Sequence, residues 1–432
     1  MIKRFKYIYK IKSCEDILNK LLYLSNSVQY INILVSNSEF QSNILPKDYV
    51  NYDLIAGVDS LTYLRSNKNC LKSLKDFHNK NKDWLFGHIS YNLKNEIETL
   101  NYKNQYKNDK IHFFVPKFLL FLKKTTLEVL TYESKENTDK VININPDFKH
   151  EKTENITLTC VESKEKYIKK INLIKEKIQR GDIYEMNYCV DFFAKNVKVI
   201  PQQLFLEINS STKSPFAAFM KLNDNFVLCA SPERFLKKKH GSLISQPIKG
   251  TTSRGSTIKQ DKSLFHKLNK SEKDIAENVM IVDLVRNDLS KISKKSSVHV
   301  EDLCNVYGFK YVYQMISTIT SEVKSNIHFT DILKSTFPMG SMTGAPKLRA
   351  MELIDAYEEK NRNFYSGSLG YIDPNGDFDF NVIIRTIVYN SIQKYLSVGV
   401  GGAITAKSDP ELEYKECLIK INPIINALKC DE

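Results

Sequence analysis

Three clusters in this sequence combine residue types that can do chemistry. The first runs from Ser231-Pro-Glu-Arg-Phe235 to Gln246-Pro-Ile-Lys-Gly-Thr251. Two strands joined by a short turn would bring Glu233 and Lys249 near each other. A glutamic acid there can protonate a leaving hydroxyl while a lysine amine attacks carbon. The amine must be neutral to attack, and an ordinary lysine, of pKa about 10.4, is neutral in only about one molecule in a thousand near pH 7.4. Closing that gap takes roughly 4 kcal/mol, supplied by burial or by a neighbouring cation. A plain cross-strand ion pair fits the same residues.

The second cluster is Asp274-Ile-Ala-Glu277 and the run through to Asp288, which sets Glu277 among Ile275, Val279 and Val282. Near the far end of the chain Glu411, Glu413 and Glu416 share one predicted helix, with Lys420 a turn beyond Glu416. Carboxylates from two helices, with room for water, are what Mg²⁺ prefers when it also binds an anionic substrate. Solvated surface glutamates fit the pattern as well. The third cluster pairs Gly340-Ser-Met-Thr-Gly-Ala-Pro-Lys347 with Val398-Gly-Val-Gly-Gly402. Glycines leading into a helix N-terminus expose backbone N–H groups to an anion. Neither the P-loop pattern nor the G-x-G-x-x-G dinucleotide pattern is present, and Gly399–Gly402 also fits a bulged strand end.

These clusters need elements to hold them. Tyr167, Ile168, Ile171, Ile174 and Ile178 recur at helical spacing, with Gly181 as the stop. Strands are expected over 183–194, 216–222 and 226–230, and a helix over about 271–289. Pro346 suits the first turn of another helix, and Ser408-Asp409-Pro410 opens the last. Two strands, about 378–389 and 395–400, lie between. Earlier in the chain, 111–115 and 118–122 read as strands, and the polar stretch from about 133 to 160 suits a connection. The chain divides there into an N-terminal region, 1–150, and a catalytic region, 160–432. Strands without regular βαβ alternation make this an α+β protein with large antiparallel sheets.

Composition narrows the function. The 63 basic and 50 acidic residues leave a net charge of +13, which invites a nucleic-acid reading. Yet 54 of the basic residues are lysines spread along the chain, the pattern of solvated faces. Only nine are arginines, and seven of these fall at or after Arg180. A planar guanidinium grips a carboxylate through two parallel bonds that lysine cannot reproduce. Thirteen of the fifteen glycines also fall at or after Gly181, so the site belongs in the second half. No apolar run long enough to span a membrane and no secretory signal is visible. Eight scattered cysteines, without a C-x-x-C pair, point to reduced thiols and a cytoplasmic protein.

In order along the chain stand Gly181-Asp-Ile-Tyr-Glu-Met-Asn187, Ser231-Pro-Glu-Arg-Phe235, Pro247-Ile-Lys-Gly-Thr251, Ala276–Asp288, Gly340–Lys347, Tyr365-Ser-Gly-Ser-Leu-Gly-Tyr371, Ile384-Arg-Thr386 and Gly401-Gly-Ala-Ile404. This series resembles the chorismate-utilising enzymes over about residues 163–427. Trp84–Tyr91 and His112–Pro116 resemble their N-terminal region more loosely. The resemblance implies an anthranilate-synthase-like αββα sandwich: two large antiparallel sheets with helices outside. It implies Mg²⁺-dependent (magnesium-dependent) substitution on the ring of chorismate, a dicarboxylate. Arg385 matches the arginine that holds the enolpyruvyl carboxylate, with Tyr365 beside it. Gly250, Thr251, Gly401 and Gly402 fall at substrate-binding positions, and Lys420 matches a lysine near the substrate. Glu277 and Glu416 match the metal-binding glutamates.

Within the family, Pro-Ile-Ala-Gly-Thr resembles anthranilate synthases, and Pro-Ile-Lys-Gly-Thr the aminodeoxychorismate branch leading to para-aminobenzoate and folate. Lys249 sides with the second. The mechanism implied is attack by the Lys249 amine at C2 with loss of the C4 hydroxyl, helped by Glu233. Ammonia then enters at C4 and expels the lysine. Isochorismate and salicylate synthases resemble one another in a water-activating lysine where this chain has Glu185, which disfavours water as nucleophile. The family often has a histidine near 311–317; here Tyr313 and Gln314 stand, which fits amination without aromatisation. No glutaminase half is present, so ammonia is expected from a separate glutamine amidotransferase subunit. No nucleic acid and no membrane are expected as partners.

Overall fold

In the computed structural model, residues 3–40, 45–46, 49–50, 52–98, 109–147 and 155–429 are described, and they form twenty strands and eleven α-helices. One sheet runs, in spatial order, Phe5–Lys10, Thr126–Thr131, Ile111–Lys123, Leu54–Ser66, Tyr30–Val35, Phe216–Leu222, Asn225–Ser231, Thr386–Asn390, Tyr395–Ile404 and Glu185–Lys195. A second continues from Ile111–Lys123 through Leu85–Ile89, Ser368–Ile372, Phe378–Asn381, Arg234–Lys239 and Ser242–Gln246 to Val312–Glu322. Ile248–Ser253 and His299–Gly308 also pair with Val312–Glu322. Every one of these pairings is antiparallel.

The two sheets share the long strand Ile111–Lys123. Its second half pairs with Thr126–Thr131 and its first half with Leu85–Ile89. Leu54–Ser66 follows it throughout, and its register slips between Ser60 and Thr62, opposite Pro116. Proline has no N–H to give the ladder, so an irregularity there costs little and lets the strands bend between sheets. The sequence reading expects two strands here, and the structure makes them one.

Alternating side chains build the layers. Ile31, Ile33 and Val35 face a core with Ile17 and Leu21, Tyr167 and Ile171, Phe205, and Ile421, from the helices Cys14–Leu24, Lys164–Gln179, Pro201–Thr212 and Pro410–Ala427. Leu236, Leu243 and Phe380 of the second sheet face Leu74, Val282, Leu289 and Ile332, from Cys70–Asn81, Glu272–Ser290 and Phe329–Thr336. Between the sheets Met220 and Val227 meet Phe86 and Leu369. Helices therefore lie outside both sheets, the expected αββα order.

Local signals hold well. Ser163 caps Lys164–Gln179, and Gly181, at φ +80°, donates its N–H to Ile178 at the far end. Ser271 caps Glu272–Ser290, and Asp409 caps Pro410–Ala427. The expected 378–389 strand is instead two, Phe378–Asn381 and Thr386–Asn390. Arg385, at φ +51°, breaks it, because a left-handed residue cannot continue a strand. The expected connection at 133–160 contains the helix Lys135–Ile142, while 148–154 lie outside the described residues, as does Cys430. The division near residue 150 does not separate strands in space: Tyr30–Val35 pairs with Phe216–Leu222, and Leu85–Ile89 with Ser368–Ile372. The seven described cysteines are all free. Among the described residues no helix is long and apolar enough to cross a membrane.

The helix Pro410–Ala427 carries Glu413, Glu416 and Lys420, so its cap matters to the site. Asp409 accepts a hydrogen bond from the Leu412 N–H at 2.9 Å. Asp409→Ala should lower stability by about 1 kcal/mol in urea unfolding; no measurable loss would show that the cap does not support this helix.

Candidate active site

Three motifs meet along the strand Glu185–Lys195. On one side Gly401, Gly402 and Ala403 lie opposite Cys189, Tyr188 and Asn187. On the other, Gly344 and Ala345 lie opposite Met186 and Glu185. A Cβ on Gly344 would fall 2.1 Å from the Glu185 carbonyl oxygen, so only glycine allows this approach. The helix Glu272–Ser290 packs behind, with Leu284 and Ile281 against Gly340.

Lys249 reaches this strand from the second sheet. Its Nζ lies 2.8 Å from Oε1 of Glu185, and both side chains are buried. The sequence reading pairs Lys249 with Glu233; the structure gives the direct contact to Glu185 and leaves Glu233 acting through space. Glu233 instead accepts a 2.7 Å hydrogen bond from Ser341 of the Gly340–Lys347 motif. The sequence reading also asks for a lowered lysine pKa. Burial does press it down, but Glu185, Glu277 and Glu233 outweigh burial, and the Lys249 pKa stands above its ordinary value. In the resting site the lysine is an ammonium.

Glu233 behaves in the opposite way. Burial pushes its pKa up to about 7, against the Ser341 hydrogen bond and the Lys249 charge. A carboxyl still protonated near neutrality can act as an acid. Glu277 is raised to about 7 as well, by burial first and Glu185 next, with Lys249 and Lys273 opposing. Its Oε1 is buried without a hydrogen-bond partner among the described residues.

Lys273 stands between two helices, 3.1 Å from Glu413 and 3.9 Å from Glu277. Lys420 contacts Glu416 at 2.8 Å and donates to the Gly401 carbonyl at 2.9 Å. Burial works to raise the Glu416 pKa, but Lys420 and Lys273 hold it below the ordinary value. A Cβ on Gly402 would lie 3.4 Å from Glu413 and 3.9 Å from Glu416, so this backbone faces the carboxylates directly. Glu277, Glu413 and Glu416 are hard oxygen donors of the kind magnesium takes, and Glu277 Oε1, though 3.9 Å from Lys273, accepts no hydrogen bond among the described residues. Among the described residues no three such groups yet converge into a closed ligand set, and Lys273 fills part of the gap.

Arg385 is the exception among the arginines. Arg4, Arg65, Arg180, Arg234, Arg254, Arg286, Arg349 and Arg362 all have carboxylate partners. Arg385 has none within ion-pair distance among the described residues. Burial lowers its pKa, and the Glu233 charge partly offsets that. Its left-handed backbone is fixed by a hydrogen bond from the Ala230 N–H to its carbonyl at 3.1 Å, next to the Ser231–Phe235 motif. A partly buried arginine with a left-handed backbone and no ion-pair partner among the described residues is a candidate for holding an anion. Arg234, in the same motif, is structural: it grips Asp379 through two 2.9 Å bonds.

The remaining expected residues divide. Gly250 sits at φ +83° beside Asp274, on the same face as Glu277. Thr251 is exposed and lies opposite Gln314. The Tyr365 ring covers Gly399, and it lines a cavity of about 180 Å³ with Cys189, Asp191, Glu358 and Thr386, the residue after Arg385. Residue-by-residue reading passes over Ser341 and Lys273 as members, while Glu413, weighed with Glu411 and Glu416, joins the cluster. The signal for Ser341 was its position inside a glycine motif; Glu413 shares a helix face with Glu416 and Lys420.

The sequence matches the description "chorismate binding enzyme" over residues 35–426. The chain belongs to the chorismate-binding enzyme family. It is 42% identical over 269 residues, 62% of its length, to the aminodeoxychorismate synthase of Arabidopsis thaliana, of which this covers 29%. It is 39% identical over 267 residues to the aminodeoxychorismate synthase component 1 of Klebsiella aerogenes, 62% of this chain and 58% of that one. The matched part therefore spans under two thirds of either relative. Anthranilate synthase component I from Streptococcus pneumoniae shares the fold, with a TM-score of 0.75 at 23% identity over 89% of this chain and 94% of that one.

Glu233 supplies a stability test. A carboxyl whose folded pKa is raised stabilises the fold below its unfolded value and loses that contribution as pH rises through about 7. Glu233→Gln should therefore melt at a higher temperature than the wild type at pH 8.5, by a free energy on the order of 3 kcal/mol, and near the wild type at pH 5. Parallel melting curves across that range would show that Glu233 is not held protonated.

Proposed function

We propose that this chain aminates chorismate to 4-amino-4-deoxychorismate, using ammonia delivered by a separate glutamine amidotransferase subunit. The observation that carries the reading is Lys249, a buried lysine projecting from the Pro-Ile-Lys-Gly-Thr strand between Glu185 and Glu277. The printed names of the relatives support it. Arg385 binds one carboxylate of the substrate, since among the described residues it is the one arginine without a carboxylate partner to give up. The Gly401–Gly402 backbone and Lys420 line the ring's other side. Glu277, Glu413 and Glu416 would hold Mg²⁺, which when bound supplies positive charge to the substrate's second carboxylate.

Lys249 Nζ forms a bond to C2, both conjugated ring double bonds shift by one position, and the C4–O bond breaks. The Glu233 proton goes to the departing hydroxyl, which leaves as water. Ammonia then bonds to C4 and Lys249 is released from C2. The net change is chorismate plus ammonia to aminodeoxychorismate plus water.

The purified chain, given chorismate, Mg²⁺ and ammonium, should form aminodeoxychorismate, and Lys249→Ala should abolish it. Release of fluorescent anthranilate and pyruvate would instead identify an anthranilate synthase and sink this reading. Arg385→Lys keeps the charge and loses the planar fork. It should raise KM for chorismate about 30-fold, roughly 2 kcal/mol, with little effect on kcat; an unchanged KM removes Arg385 from the substrate.

A further inference from the structure

The covalent reading leaves one proton unassigned. Lys249 rests as an ammonium, yet it must attack as an amine, and its side chain is too buried for bulk water to serve. We propose that Glu185 is the general base that takes the Lys249 proton before the attack and returns it afterwards, an inference that rests on the covalent function proposed above.

The geometry assigns the role by contact. Glu185 Oε1 is 2.8 Å from Nζ, already at proton-transfer distance. Its other oxygen is buried without a hydrogen-bond partner among the described residues, so Lys249 is the donor the carboxylate faces. The other two carboxylates near Lys249 are committed elsewhere. Glu233 is bonded to Ser341 and its proton belongs to the leaving hydroxyl, while Glu277 has Lys273 beside it. Glu185 also starts a sheet strand, opposite Ala345 and next to Met186, which pairs with Ile404, so it does not depend on a loop for its position.

Burial works toward the transfer, against the three carboxylates that hold Lys249 charged in the resting site. In water an ordinary lysine and glutamic acid titrate at about 10.4 and about 4.3, which forbids it. Out of water, an ion pair carries two desolvation penalties and a neutral amine–acid pair carries neither. Occupation of the cleft by substrate removes the remaining water and favours the neutral pair. The protons then balance. Nζ gives one to Glu185 and attacks C2; Glu233 gives one to the C4 oxygen. When ammonia bonds to C4, Glu233 recovers a proton from the new ammonium, the C2–N bond breaks, and Glu185 re-protonates Lys249.

Glu185→Gln keeps a hydrogen-bonding side chain of the same shape but cannot accept the proton. With saturating ammonium its kcat near pH 7 should fall about 100-fold or more, with KM for chorismate within threefold. The rate corrected for free ammonia should then climb about tenfold per pH unit as solvent takes over the deprotonation. Wild-type kcat in Glu185→Gln, with Lys249→Ala inactive, overturns the role of Glu185 alone. An active Lys249→Ala overturns the covalent reading and this proposal together. A loss confined to KM, with an unchanged pH profile, shows a structural counter-ion and also overturns it. If Glu185→Gln does not fold, Glu185→Asp decides: a shortened carboxylate should retain Lys249-dependent turnover whose pH profile matches the wild type, and a profile rising tenfold per pH unit overturns the assignment.

Discussion

One buried contact closes this molecule. The two sheets share Ile111–Lys123 at one end of their strand order, and at the other end Glu185 of the first sheet meets Lys249 of the second. Ser341 repeats the connection by tying the segment beside Glu185 to Glu233. Neither charge could remain buried alone, since removing one partner of such a pair costs about 3–5 kcal/mol. The architecture therefore forces reactive groups together at the edge where the sandwich must be sealed.

Around that contact the charges are matched almost one to one. Lys249 answers Glu185, Lys273 answers Glu413, and Lys420 answers Glu416. Among the described residues, Arg385 has no ion-pair partner, and Glu185 Oε2 and Glu277 Oε1 have no hydrogen-bond partner. A site whose cations and anions cancel except at specific points binds its ligand through those points. Net charge on the whole chain has little to do with it, and the lysine-rich background lies largely outside the cleft.

Much of this was legible in the sequence. The opening at Ser408-Asp409-Pro410, the stop at Gly181 and the period of Tyr167–Ile178 are local signals, and the structure follows them, with Ser163 and Ser271 adding caps of the same kind. The ordered motifs also announced the site. What could not be read was partnership. Nothing local tells Lys249 to choose Glu185, sixty-four residues away, over Glu233 in the link before Arg234–Lys239. Nor does the Phe378–Asn390 pattern show a break, because Arg385 adopts its left-handed backbone for a tertiary reason, the bond to Ala230. The pKa direction of Lys249 failed for the same cause: burial was foreseeable, three surrounding carboxylates were not.

The strand Leu85–Ile89 has a further consequence, for synthesis. One of its edges pairs with Ile111–Lys123, but the other waits for Ser368–Ile372, about 280 residues later in the chain. At roughly 5–20 residues per second that is a quarter of a minute to a minute with an apolar edge open on the ribosome. Tyr30–Val35 faces a similar delay before Phe216–Leu222 emerges. The N-terminal third of this protein cannot finish folding when it is made, so its yield in a cell depends on whatever shields those edges until the last strands arrive.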